Sequence, residues 1–260
     1  MSNNFNNISP LDNRYSSKIE NVRSNFSEFA LIKIRFEIEI DWIIYLCKNK
    51  PNVFKKISES SIKKLVKFKN NFDHNYVTKI KKIESVTNHD VKAVEYFIRD
   101  YFIKDNVLKN YIQFIHFGLT SEDINSLSYA VMLKNGIEIY LADIESLNSK
   151  LNIKACEWSD ISFLSRTHGQ PASPSTLGKE LAVFNKRLIK QISSLKSIKP
   201  LAKFSGATGN YHTFYILDPK TNWQAFTNKF IKSCRVGQNT HTTQIEPHDW
   251  IAETSHSIIR

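Results

Sequence analysis

Five short stretches carry polar, hydrogen-bonding side chains where the neighbouring sequence is built for packing. They are "SPLDNRY" (9–15), "TNHDVKAVEYF" (87–97), "HFGLTSEDIN" (116–125), "SRTHGQPASPST" (165–176) and "TTQIEPHDW" (242–250). In the fourth, His168 lies between a threonine and a glycine, ahead of Pro171 and Pro174, with no apolar periodicity around it. An imidazole titrates near neutral pH, so a ring held in a rigid turn is suited to proton transfer. The other stretches present Arg14 and Tyr15, then Asn88, His89 and Asp90, then Thr120 and Ser121, and finally Gln244. Each adjoins the end of an apolar helical segment, where free backbone N–H groups and the positive dipole end suit phosphate and carboxylate. Taken singly, each has a plainer reading. Arg14 serves as a surface charge, Asn88 as an N-cap, Thr120 or Ser121 as the cap of the following helix, and a lone loop histidine as a solvated or structural one.

Other chemistries find little support. The chain has no His-Glu-x-x-His, no Gly-x-Ser-x-Gly and no Walker loop. "SGATGN" is glycine-rich but lacks the lysine and strand context of a phosphate loop, and His241 and His248 are not spaced as helical metal ligands. No metal site is expected.

The elements that must position these groups read as helices. Only 7 Gly and 7 Pro punctuate 260 residues, which leaves long uninterrupted segments. Asn25 to Leu46 contains neither; "IKIRFEIEID" alternates like a strand, but the segment is too long for one. Lys33–Glu37 and Arg35–Glu39 are spaced as i,i+4 pairs on a helix. Val91, Val94, Phe97, Ile98, Tyr101 and Phe102 predict a helix after "TNHD"; Leu108, Tyr111, Ile112 and Ile115 predict another, ending near Gly118. Thr120 with Asp123 fits a capping box. Ile137, Leu141, Ile144, Leu147, Leu151, Ala155 and Trp158 form a nearly heptad seam. Ser173 and Pro174 are placed as N-cap and N1 of a helix with core stripe Leu177, Leu181, Phe184, Leu188, Ile192 and Leu195, and Trp250 to Arg260 reads as a last helix.

Composition bounds the class. Hydrophobic residues make up 41%, enough for a sizeable core. The net charge of +11 is spread as lysine along the chain, with only short basic runs such as "SIKKLVKFK", so it reads as a solvated surface and no nucleic-acid partner is expected. Cys47, Cys156 and Cys234 are odd in number and far apart, which suits free thiols in a reducing compartment. "MSNNFNNISP" has no apolar leader and no run reaches membrane-spanning length, so a soluble cytoplasmic protein is expected.

Taken together and in this order, the five stretches closely resemble those of the adenylosuccinate lyases, a family of the fumarase/aspartase superfamily. The resemblance covers essentially all 260 residues, and "TNHDVKAVEYF" with "RTHGQPASPST" is its most specific part. It implies an all-α fold: an N-terminal helical domain over 1–112, then over 113–260 the first long helices of a central bundle. It implies a homotetramer without cofactor and a β-elimination that releases fumarate from two succinylated nucleotides, adenylosuccinate and the succinyl-carboxamide ribotide. By the same resemblance His168 is the general acid to the leaving nitrogen. Arg14, Tyr15, Asn88, His89 and Asp90 contact the nucleotide, Arg14 with His89 at its phosphate; Thr120 and Ser121 donate to a succinyl carboxylate, and Gln244 orients the substrate.

Two departures stand out. Asn13 replaces the family's usual glycine, in a turn that asparagine's tolerance of left-handed backbone would preserve. The family's base, a serine on a loop reading approximately Ser-Ser-x-Met-Pro-x-Lys-x-Asn-Pro, has no match, since the only methionines are Met1 and Met132. The chain therefore reads as the N-terminal part of a longer enzyme, inactive alone. The alternatives are a catalytically dead nucleotide-binding remnant or another fumarate-releasing lyase of the superfamily.

Overall fold

The computed structural model describes residues 9–50 and 52–260, so the start of the polar N-terminal stretch lies outside the described residues. In chain order the elements are α1 (Glu20–Phe26), α2 (Glu28–Asn49), α3 (Glu59–Asn70), α4 (His74–Thr87), α5 (Asp90–Ile103) and α6 (Ser121–Glu157). There follow β1 (Ser162–Thr167), β2 (Gln170–Thr176), α7 (Leu177–Ser197), β3 (Leu201–Ala202), α8 (His212–Leu217), α9 (Trp223–Ser233), β4 (Gly237–Gln238) and α10 (Asp249–Ile259). The fold is helical, as expected; the strands are one antiparallel hairpin, β1–β2, and one short parallel pair, β3–β4. The chain divides into two compact units, Met1–Asn135 with Pro200–Pro247 and Gly136–Lys199 with His248–Arg260.

The first unit is organised around α2. The alternating segment is helical because α2 is buried on most of its circumference: Phe36, Ile40, Trp42, Ile43 and Leu46 are all 0% exposed. Each such side chain contributes about 1.5–3 kcal/mol on burial. Phe36 meets Phe68 of α3 edge-on at 4.9 Å, and Trp42 meets Phe204 and Phe230, each at 5.0 Å. The Lys33–Glu37 pair forms at 3.9 Å. The Arg35–Glu39 pair does not. Both residues are buried, and each turns to another element: Arg35 to Asp90 at 2.7 Å, Glu39 to His116 at 2.6 Å.

Two local expectations are corrected here. The segment from Leu108 to Phe114 is a 3-10 helix, whose three-residue repeat buries Leu108, Tyr111 and Phe114 and leaves Ile112 and Ile115 half-buried. Asn13 has no left-handed backbone; its carbonyl accepts the Ser16 N–H at 3.1 Å in an ordinary turn.

Asp123, in the first turn of α6, is 0% exposed and gathers four donors. Its Oδ2 accepts the Thr120 N–H at 2.8 Å, half of the expected capping box, and the Gly206 N–H at 3.1 Å. Its Oδ1 accepts the Ser205 N–H at 2.9 Å and the Lys203 ammonium at 2.6 Å. Lys203 is itself fully buried and also donates to the Gly206 carbonyl at 2.7 Å. Two buried charges are thereby neutralised, with four donors on the carboxylate and two acceptors for the ammonium, the condition under which such a pair is tolerable.

The second unit contains the rest of α6, the hairpin, α7 and α10. α7 lies along α6, with the buried Asn185 amide donating to the Asn148 carbonyl and side-chain oxygen, both at 3.0 Å, and Lys196 paired with Glu145. The expected α7 core stripe is only partly covered: Leu195 is buried, Leu181, Leu188 and Ile192 are half-buried, and Phe184 is 53% exposed. Few elements of this unit flank α7, so one side of the stripe faces solvent. The expected cap is also displaced. Ser173 and Pro174 belong to β2, and the N-cap is Thr176, whose Oγ1 accepts the Lys179 N–H at 3.2 Å.

Lys203→Met keeps side-chain bulk but strands the Asp123 carboxylate in a buried site. The urea midpoint, followed by tryptophan fluorescence, should drop by an amount equivalent to about 3 kcal/mol. An unchanged midpoint would mean that the backbone N–H groups hold Asp123 without the ammonium.

Candidate functional site

The α4–α5 junction and the start of α6 bring the first group of candidate residues together. Asn88 ends α4 in the left-handed conformation, φ 51°, and donates its N–H to the Glu84 carbonyl at 2.8 Å. It is thus a C-cap. The N-cap of α5 is His89, whose Nδ1 accepts the Lys92 N–H at 3.3 Å. That bond puts the proton of the neutral ring on Nε2, which faces the Ser121 hydroxyl at 3.4 Å. Ser121 is the first residue of the 37-residue helix α6 and Thr120 immediately precedes it. An exposed imidazole and a hydroxyl therefore converge on a helix N-terminus, an arrangement able to receive an anion.

Asp90 plays a supporting part. Its Oδ2 holds the Arg35 guanidinium at 2.7 Å and its Oδ1 caps its own helix through the Val91 N–H at 2.8 Å. Burial alone would raise its pKa; the Arg35 charge and the Val91 N–H outweigh that and hold the carboxyl below the usual carboxylate range. The contact fixes the start of α5 against α2 and so aims His89.

His116 completes this region and was not singled out by the sequence reading. Its backbone is left-handed, φ 55°, its N–H donates to Glu39 Oε2 at 3.1 Å, and its Nδ1 lies 2.6 Å from Glu39 Oε1. Its Nε2 is 3.6 Å from Glu95 Oε1. Burial pulls its pKa down, but the Glu39 charge and hydrogen bond, helped by Glu95, raise it overall. Burial raises the Glu95 carboxyl as well, against the pull of His116, so at 2.6 Å Glu39 is the principal partner. The signal available was its place four residues ahead of Thr120, inside one of the polar stretches.

Arg14 and Tyr15 follow a short 3-10 turn and both are exposed. The guanidinium lies 5.4 Å from the Tyr15 ring centroid and, among the described residues, pairs with no carboxylate. Gln244 is exposed on a loop whose residues Thr240 to Thr243 border a cavity of about 430 Å³ with Gly209 and Asn210. "SGATGN" acts here through its backbone. Gly209 has φ +81°, and a Cβ there would lie 2.1 Å from the Thr242 carbonyl, so only glycine lets the Gln244 loop pack so closely. Glu246, fully buried, accepts the Asn239 amide at 2.9 Å and ties down the loop's far end.

His168 stands in the second unit, at the tip of the β1–β2 hairpin. Thr167 pairs with Gln170 across a two-residue turn in which His168 has φ 53° and Gly169 φ 73°. Positive φ at both positions is the hairpin turn that matches strand twist. Arg166 faces Pro171 and Leu164 faces Pro174, so the prolines stiffen the outgoing strand. The imidazole is exposed. Among the described residues no group of three or more His, Cys, Asp or Glu is placed to hold a metal, and no helix is long and apolar enough to cross a membrane. The three cysteines are free, and burial pushes the Cys47 thiol up to about 12.

A family model described as "Lyase" matches residues 13–259. Adenylosuccinate lyase of Buchnera aphidicola subsp. Schizaphis graminum is 42% identical over 248 residues, covering 95% of this chain and 54% of that protein. Its counterpart from Escherichia coli K12 is 40% identical over 255 residues, covering 97% of this chain and 56% of that protein. The chain thus spans about half the length of the curated relatives it matches. The solved fumarate lyase of Mesorhizobium sp. BNC1 superposes with a TM-score of 0.74 at 18% identity, over 92% of this chain and 53% of that one, a likeness of fold alone.

A raised folded-state pKa for His116 means stabilisation that is fully present below the unfolded value of 6.5 and lost as pH rises through the higher folded value. His116→Asn, which tolerates the left-handed backbone, should destabilise by about 3 kcal/mol at the acid end. The difference from the parent should shrink toward alkaline pH in urea titrations. A difference independent of pH would remove the charged pair from the account.

Proposed function

The chain belongs to the lyase family matched over its residues 13–259, and from that membership we propose that it is the N-terminal share of an adenylosuccinate lyase. The observation that carries the reading is identity of 40–42% to adenylosuccinate lyases across nearly the whole chain. Convergence of His89 and Ser121 at the N-terminus of α6 supports it. The complete enzyme cleaves adenylosuccinate to AMP and fumarate, and the succinyl-carboxamide ribotide to the carboxamide ribotide and fumarate. It works in purine biosynthesis, in the cytoplasm, as a homotetramer, with the N-terminal helical domain running to residue 112 and the bundle from 113.

The chemistry is an elimination. A base takes the proton from the carbon beside a carboxylate, the electron pair forms the fumarate double bond, and the C–N bond breaks as its nitrogen gains a proton. In this proposal His168 supplies that proton from a hairpin tip whose backbone is fixed by its turn and prolines. Ser121 and Thr120, at the positive end of α6, hold a succinyl carboxylate; the charge building there is stabilised by donors already in place. Arg14, whose guanidinium pairs with no carboxylate among the described residues, and His89 take the phosphate, Tyr15, Asn88 and Asp90 complete the nucleotide site, and Gln244 orients the substrate. The base is a serine supplied by a segment these 260 residues lack.

In the complete enzyme His168→Gln should lower kcat by about a hundredfold or more while KM changes little. A variant with near-parental kcat would take this histidine out of the proton transfer. Residues 1–260 alone, freed of any downstream segment, should release negligible fumarate by ultraviolet absorbance. Turnover at an ordinary enzymatic rate would refute the placing of the base outside this chain.

A further inference from the structure

A cleft of about 770 Å³ lies between α4 and α5 in the first unit, and none of the candidate site residues lines it. Its walls are aromatic: Tyr76 from α4, and Tyr96, Phe97 and Tyr101 from α5. Tyr101 is braced by stacking on Phe68 at 3.6 Å, so that wall is rigid. Tyr96 is 43% exposed and Val86, on the opposite side, is 80% exposed, an unusual amount of uncovered apolar surface for one place.

The charge around the cleft is one-sided. Lys79, Lys82 and Lys104 line it against a single carboxylate, Asp100. Neighbouring lysines find acids: Lys81 holds Glu28 at 2.7 Å and Lys92 holds Glu95 at 2.7 Å. Among the described residues the three cleft lysines hold none. The volume is that of a small-ligand pocket, and an apolar interior with a few convergent charges is how such pockets orient what they bind.

We propose that this cleft binds a planar aromatic anion, a ring system bearing a sulfonate, carboxylate or phosphate. In this proposal the lining rings supply apolar surface for the ligand's ring system, and the exposed lysines meet its acidic group. Nothing in it depends on the elimination reaction.

The test uses two fluorescent probes of similar shape, anilinonaphthalene sulfonate and the uncharged phenylnaphthylamine, titrated into the chain as it stands. The second unit exposes Leu147, Ile153 and Phe184, which also attract dyes, so the readout is the difference between variants. Lys79→Glu/Lys82→Glu/Lys104→Glu changes only exposed side chains, and circular dichroism checks that the helices persist. The sulfonate should bind at one saturable site that weakens about tenfold or more in the triple variant and with added salt. Phenylnaphthylamine should change by less than about twofold, being uncharged. Val86→Glu, a second exposed position, should weaken the sulfonate several-fold independently of the lysines. Sulfonate binding untouched by both variants overturns the proposal. So does equal weakening of both dyes in the lysine triple variant, which would mark a general apolar surface. Self-association of the chain that Val86→Glu abolishes, seen by sedimentation, would give the cleft to a second copy and equally overturn it.

Discussion

A single buried carboxylate holds the first unit's candidate region in place. Asp123 sits where α6 begins, and its four donors come from two distant parts of the chain: Thr120 beside it, and Lys203, Ser205 and Gly206 from the segment after α7. A carboxylate without partners would be severely penalised at full burial, so the packing and the hydrogen bonds require one another. The result fixes the direction in which α6 starts, and with it the place of Thr120 and Ser121. It also anchors the glycine-containing segment whose Gly209 supports the Gln244 loop.

A second set of charged contacts makes α2 the common support for both helix ends of the site. Arg35 and Glu39 are one helical turn apart, close enough to satisfy each other. Instead Arg35 reaches Asp90 at the start of α5, and Glu39 reaches His116 just before α6. Each contact replaces a local ion pair, worth a few tenths of a kcal/mol, by a long-range one that is buried on at least one side. His89, which makes neither contact, is left exposed between the two anchored helix ends and faces Ser121. Rigid neighbours around an accessible imidazole are what a binding site for an anionic substrate requires.

The second unit presents its histidine by a different device. His168 is carried by the backbone of a two-residue hairpin turn, with both central residues at positive φ, and its side chain is exposed. Its reach is set by strand pairing and by proline-stiffened β2. This division is consistent with the proposed roles, because a group that gives a proton to a departing nitrogen needs an accessible, well-aimed ring more than a buried one.

The helical class was legible in the sequence. The scarcity of Gly and Pro and the three- and four-residue apolar steps act within one segment and need no partner. The polar stretches were legible for a related reason, since a cluster of hydrogen-bonding residues at the end of an apolar helix has no packing explanation. What the sequence could not specify was who pairs with whom. Arg35–Glu39 looked like a helix pair, yet burial of that face gave each a partner 55 and 77 residues away. Asn88, which read as an N-cap, instead ends α4 as its C-cap, because the turn between α4 and α5 needs a left-handed residue at position 88, and the N-cap of α5 falls to His89. "SRTHGQPASPST" became a hairpin because strand pairing is a contact between two segments, and neither segment alone shows it. Lys203 read as one more surface lysine among many; only the folded chain, by enclosing it with Asp123, made it an interior charge. Local propensity acts on neighbours along the chain, whereas the free energy of a buried charge depends on whatever distant group the fold places beside it.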